Sequence, residues 1–335
     1  MRERIEKKRL AILRVLKDAN EPLTSRIISE QLINTGYDIT ERTVRFHLLS
    51  MDKEGLTESA GRHGRRITQK GVLELSKSRV FEKVGFLTAK IDQMTYRMKF
   101  NLVQLEGTVV INLSLIKKEH FEEACPIMMR VFEAGYSMGQ LLTLFSPREQ
   151  IGEYYIPEGF VGIGTVCSIT LNGVLLAHGI PTKSRFGGIL EIENRKPTRF
   201  VAIINYDGTT LDPLEIFVKS GMTDYIGATE RGNGLIGASF RELPADSRDR
   251  VVELAHRLEN AGLGGFMEIG WPGQPLHDIP INEGQFGAIV IGGLNPVAIL
   301  EEYGFDVYSH ALSGLVNYNR LFNYRELENR MKNMK

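Results

Sequence analysis

Cysteine is nearly absent from this chain: Cys125 and Cys167 are the only two in 335 residues. Two thiols cannot build a disulfide framework, and neither stands at zinc-ligand spacing from the other or from the seven histidines, so no metal site is expected. Long apolar runs are missing as well, which argues against a membrane-spanning helix. The N-terminus, Met1-Arg2-Glu3-Arg4-Ile5-Glu6-Lys7, is charged where a secretory signal needs an apolar segment, and the cytoplasm is the expected compartment. Low-complexity tracts are absent, and the composition is that of an ordinary globular protein with room for one small and one or two larger domains.

Net charge is missing too, since 41 Lys and Arg balance 41 Asp and Glu, but the balance conceals a division. Residues 1–79 hold 17 basic against 11 acidic side chains, an excess of six positive charges, and the remaining 256 residues hold 24 against 30, an excess of six negative ones. A basic head on an acidic body points to a polyanionic partner for the head alone.

The head has the pattern of a winged helix-turn-helix. Ile5, Leu10, Ile12, Leu13 and Leu16 give Glu3 to Asp18 one broad apolar face, and Asn20, Glu21 and Pro22 end it. A second helix starts near Thr24, carries Ile27, Ile28, Gln31 and Leu32, and is expected to close at Gly36. Thr40 caps a third, Glu41 to Glu54, with Val44, His47, Leu48 and Met51 inside and Arg42, Thr43, Arg45 and Phe46 outside. Two short strands, Leu56 to Ser59 and Arg66 to Thr68, flank Gly61-Arg62-His63-Gly64-Arg65, a basic wing. The third helix suits the major groove, where arginine pairs with guanine. Arg62, Arg65 and Arg66 suit phosphates, which position without specifying. Duplex DNA is therefore the expected partner. So modest a charge on one head would make few phosphate contacts, which predicts a dimer on one site. The same three helices could instead form a protein-docking module.

The body repeats itself. Ser114 and Ser239, Gly139 and Gly264, Pro147 and Pro272, and Gly162 and Gly287 each stand 125 positions apart. Each copy reads strand, helix, strand, strand: Thr108 to Leu115, Glu119 to Ala134, Gln140 to Phe145 and Phe160 to Ile169, then Leu235 to Phe240, Ala245 to Asn260, Gly265 to Ile269 and Phe286 to Ile291. Asn205-Tyr206 recurs as Asn317-Tyr318 at offset 112, so the second copy lacks about thirteen residues, and the hairpin region Lys183 to Lys196 is the candidate. The expected fold class is α+β: a winged helix-turn-helix over residues 1–78, then an internally duplicated, pseudo-twofold α+β regulatory domain over 79–335, its repeats at about 99–220 and 226–333, with a hinge near Lys77 to Lys83.

Candidate chemistry in the body is sparse. Gly232-Asn233-Gly234-Leu235-Ile236-Gly237 matches a dinucleotide fingerprint in letters only, because Leu235 to Phe240 reads as a strand where that motif needs a helix. Gly162, Gly164, Thr165, Cys167 and Ser168 cluster small and hydroxyl-bearing residues on a strand before Asn172-Gly173, a hairpin-turn signal. The glycines would let a ligand approach the backbone, although Cys167 by itself reads better as a small buried hydrophobe. Lys183 and Arg185 add two cations fit for a small dicarboxylate. Asp207, Asp212 and Glu215 could do acid-base work but sit in turn sequence. Cys167 and His178, eleven apart, could form a nucleophile pair; that rival reading makes the body an enzyme. A third makes it solely a dimerisation and docking platform.

Ile163-Gly164-Thr165-Val166-Cys167-Ser168, Ser184-Arg185-Phe186-Gly187-Gly188, the run Asn205 to Glu215, and Arg241-Glu242-Leu243-Pro244 resemble the archaeal nitrogen-regulation repressor family, NrpR, from the head to about Glu328. The resemblance implies a homodimeric, non-enzymatic transcriptional repressor of nitrogen-assimilation genes with no cofactor, bound to palindromic operators and released by 2-oxoglutarate. Some relatives carry two regulatory domains in one chain, and others lack the head and act as a corepressor contacting the basal transcription machinery, so a separate partner chain is compatible with this one.

Overall fold

Apolar residues at helical spacing build the first unit, residues 1–84; a second unit comprises residues 85–335. The computed structural model describes residues 2–19, 21–34, 39–82 and 86–332, with side chains except at 2–7, 76–82, 86 and 331–332. Helices α1 (Arg2–Asp18), α2 (Ser25–Asn34) and α3 (Glu41–Lys53) bury Ile12, Leu13, Leu16, Ile28, Leu32, Val44, Leu48 and Met51 in one core. Strands β1 (Thr57–Ser59) and β2 (Arg65–Ile67) form an antiparallel hairpin in register Thr57 to Ile67, and α4 (Gln69–Glu82) follows. The expected stops at Asn20 and Gly36 and the end of the expected hinge, Lys83, lie outside the described residues.

The second unit opens with α5 (Phe86–Arg97), β3 (Phe100–Asn101), β4 (Glu106–Lys117), α6 (Phe121–Glu133), β5 (Leu141–Phe145), a small hairpin of β6 (Gln150–Ile151) and β7 (Tyr154–Tyr155), β8 (Phe160–Val166) and α7 (Ile169–Ala177). Then come β9 (Lys183–Glu193), β10 (Lys196–Asn205) and α8 (Pro213–Lys219). The chain continues through β11 (Gly234–Pro244), α9 (Arg248–Asn260), β12 (Phe266–Ile269), β13 (Gln285–Ile291), α10 (Asn295–Glu302), β14 (Tyr308–Asn317), β15 (Phe322–Asn323) and α11 (Leu327–Lys332). The order strand, helix, strand, strand, helix, strand thus recurs in the two halves.

Two antiparallel sheets result, ordered β14-β4-β8-β5-β15, with β3 also on β4, and β10-β9-β11-β13-β12. Neither sheet belongs to one half. The strand following α7 crosses to pair with β11, and the strand following α10 crosses back to pair with β4. Each half therefore completes the other's sheet, and the pieces cannot bury their apolar faces separately. One core gathers α6 and α10, and the other gathers α5, α7 and α9.

Two expectations are corrected. The strand from Phe160 ends at Val166, not Ile169, and Asn172-Gly173 is no hairpin turn but the middle of α7. That helix is buried from Ile169 to Leu175, two turns with no solvent-facing side, so its sequence shows no polar face to announce it. The hairpin turn instead joins β9 to β10 at Asn194 and Arg195, with φ of 51° and 65°. The lone glycine fingerprint opens strand β11, as its pattern predicts.

Candidate functional site

In the head, Thr40 caps α3 by accepting the Thr43 N–H, and the Thr43 hydroxyl lies 2.9 Å from that of Thr40. Val44, His47, Leu48 and Met51 face the core, as the helical period predicts. The outward stripe is Arg42, Arg45, Phe46 and Leu49, and Leu49 is the member that the sequence reading omits. Arg45 pairs along the helix with Glu41 at 2.5 Å, an exposed contact of the kind worth a few tenths of a kcal/mol, about 0.3–0.5, and easily exchanged for another acceptor.

The wing is tied to α3. Arg65 Nε donates to Asp52 at 2.7 Å and Thr57 donates to the other oxygen of the same carboxylate at 2.6 Å. Arg65 also exchanges backbone hydrogen bonds with Leu23, which adds a third strand edge to the hairpin. Gly64, at φ 106°, permits that close approach, since a Cβ there would stand 2.0 Å from the Leu23 carbonyl oxygen. Arg66 pairs with Glu58 at the surface, and among the described residues Arg42 and Arg62 make no ion pair.

In the second unit the polar residues gather around Arg241 on β11. Its side chain is 1% exposed, and among the described residues no carboxylate stands within 4 Å of it. Nε donates to Asn172 Oδ1 at 3.2 Å, Nη2 to Ser168 Oγ at 3.2 Å and Nη1 to the Phe240 carbonyl at 3.4 Å, with the Tyr206 ring centre 5.8 Å away. Asn172 passes the network on by donating to Ser184 Oγ at 3.0 Å. Asp212, which caps α8 by accepting the Leu214 N–H, senses Arg241 electrostatically, but burial dominates and holds its carboxyl above the usual range. The buried guanidinium thus has three long hydrogen bonds to neutral acceptors, and the Tyr206 hydroxyl and the Asp212 carboxyl interact with it as well.

Ser184 and Tyr206 also border an open cleft of about 350 Å³, lined as well by Thr88 and Asp92 of α5, Thr182, Lys183, Glu242 and Gln285. Thr88 Oγ1, Thr182 Oγ1, Glu242 Oε2 and Gln285 Oε1 are buried there without a protein hydrogen-bond partner. Lys183 and Arg185 converge on the buried Glu242, at 3.5 and 3.0 Å, so two cations share one carboxylate and the group keeps one positive charge.

The residues singled out by sequence do not gather in one place. Ser168 touches Arg241, and Lys183 lines the cleft that Arg185 reaches through Glu242. Thr165 is buried with an unpartnered hydroxyl. Gly162 and Gly164 face neighbouring side chains of their own sheet: a Cβ at either would lie within about 3 Å of Phe145, so their role is packing. Burial pushes the Cys167 thiol up to about 12, so it holds almost no thiolate at neutral pH. His178 stands beyond the far end of α7, whose nine residues span about 13 Å, and bonds Val174 O at 2.8 Å. The nucleophile pair does not form. Sequence reasoning missed Arg241, Asn172 and Tyr206; the signal was the adjacent Arg241 and Glu242 inside an otherwise apolar strand.

Similarities to known proteins follow this division. A family model for the NrpR regulatory domains NRD1 and 2 matches residues 84–323, and a ribonuclease R winged-helix domain model matches residues 10–75. The global nitrogen regulator NrpRI of Methanosarcina mazei is 35% identical, covering 96% of this chain and 99% of its own. The global nitrogen regulators NrpR of Methanococcus maripaludis and Methanocaldococcus jannaschii are 32% and 30% identical over 88% and 95% of this chain, which spans 51% and 55% of theirs. The crystal structure of a nitrogen repressor-like protein from Methanococcus jannaschii superposes with a TM-score of 0.60 at 28% identity, over 70% of this chain and 97% of that one.

Proposed function

This chain belongs to the NrpR family of global nitrogen regulators, and from that premise we propose that it represses nitrogen-assimilation genes by binding palindromic operators as a homodimer, and that a small dicarboxylate, with 2-oxoglutarate the candidate, relieves the repression. The observation that carries the ligand half is Arg241: a buried cation with no carboxylate of the described residues within 4 Å, joined by Asn172 and Ser184 to a polar cleft. Arg241 does not itself line the cleft, so an incoming carboxylate would have to displace its Asn172 and Ser168 contacts to accept a bidentate pair from the guanidinium. Lys183, at the rim and 65% exposed, supplies a point charge for a second acid group. The cleft lies where the two halves exchange strands, so a ligand that prefers one arrangement of β9 on β11 acts on both halves at once.

Calorimetric titration of the full chain with 2-oxoglutarate tests this reading. Saturable binding, lost in Arg241→Met and weakened several-fold in Lys183→Ala, is the expected result, with thermal unfolding confirming that both variants fold. Absence of binding to the unaltered chain removes 2-oxoglutarate, and binding undiminished in a folded Arg241→Met removes this site. The enzymatic alternative is not carried forward, because the relatives are regulators and Cys167 has neither a base nor an accessible thiolate.

A further inference from the structure

The outward stripe of α3 is not a uniformly polar surface. Phe46 is 71% exposed and Leu49 51%, and they stand three residues apart on one face with Arg42 and Arg45 beside them. Isolated exposed apolar residues are ordinary, but here two adjoin at the centre of a cationic helix face whose opposite side is fully packed. The only apolar feature that a base pair presents in the major groove is the thymine 5-methyl group. Charge and apolar complementarity together therefore select one occupant: duplex DNA whose phosphates and guanines meet the arginines and whose thymine methyls meet the rings and branches between them. Resting on the reading of the head as a DNA-binding module, we infer that Phe46, supported by Leu49, is a specificity-determining residue that reads the 5-methyl groups of thymines in each half-site. Arg42 and Arg45 read the flanking guanines. Removing one buried methyl is worth roughly a fourfold change in affinity.

The test uses the full chain and duplexes it selects from a random library, with each thymine of the selected sequence replaced singly by deoxyuridine, which keeps the base pair and deletes only the methyl. At one or two positions per half-site, the expected loss is about fourfold for each strand substituted. In Phe46→Ala the same substitutions should cost nothing, whereas Phe46→Leu should keep part of the discrimination; such a cycle isolates the contact. Retained helical circular dichroism shows that the exposed position tolerates both changes. Indifference to uracil at every position, or a uracil penalty unchanged in Phe46→Ala, overturns the inference while leaving DNA binding intact. Loss of the dimer in Phe46→Ala, with DNA affinity per head unchanged, overturns it in favour of a protein-protein surface. Failure to retain any duplex overturns the DNA-binding reading itself and this inference with it.

Discussion

His47 lies on the inner face of α3, where burial, with Arg9 and then Lys8 adding to it, holds its imidazole below the usual histidine range. Its neutral form is favoured by the fold, so its contribution to stability is complete above the ordinary value of 6.5 and is lost as pH falls through the depressed one. Glu215 has the opposite sign: burial pushes it up to about 7 from 4.5, so its contribution is complete below 4.5 and is lost as pH rises through about 7. Hydrogen exchange separates the two. Amides of α3 should lose protection as pH falls below 6.5, and His47→Leu should remove that trend. Amides around α8 and β14, where Glu215 accepts the Ala311 N–H, should lose protection as pH rises from 6 to 8, and Glu215→Gln should flatten the curve. A response of either region in the sense opposite to its own prediction would contradict that assignment.

At the scale of elements, Asp52 is the joint between α3 and the wing, receiving Thr57 and Arg65 on its two oxygens. Asp52→Ala should lower head stability on the order of 2 kcal/mol, since it strands a half-buried guanidinium. It should also reduce affinity for all duplexes alike by loosening Arg62 at the wing tip. An unchanged melting temperature of the head would show the joint to be superfluous. The head's elements were legible in the sequence because each obeys a local rule: the helical period of Val44, His47, Leu48 and Met51, the Thr40 cap, and glycines flanking the wing. What was not legible there was that Arg65 belongs to Asp52, a pairing across thirteen residues. In the body, strands and amphipathic helices were readable, but α7 was not, because Ile169, Leu171, Val174 and Leu175 are buried on all sides and Asn172-Gly173 imitates a turn. The Asn172 side chain serves Arg241 and Ser184, and Gly173 leaves room for Met98.

At the scale of the molecule, the crossing of β9 and β14 between sheets is a long-range choice that no local pattern encodes, and it sets the site. Arg241, Ser168 and Asn172 come from elements far apart in sequence that meet because the halves complete each other. Lys183 and Arg185 read in the sequence as a free cationic pair, but Glu242, one residue from Arg241, holds both. The basic head and acidic body divide the molecule as their charges do: the proposal gives phosphate to the one and gives the buried cation of the other a small anion. Reciprocity between these two bindings is required if the ligand controls the DNA.

The most direct test is therefore a paired titration: the affinity of the full chain for its selected duplex with and without saturating 2-oxoglutarate, and its affinity for 2-oxoglutarate with and without that duplex. The account predicts that both fall by the same factor, and that Arg241→Met binds the duplex as tightly as the unaltered chain but no longer responds to the ligand. A duplex affinity unchanged at saturating 2-oxoglutarate would contradict it.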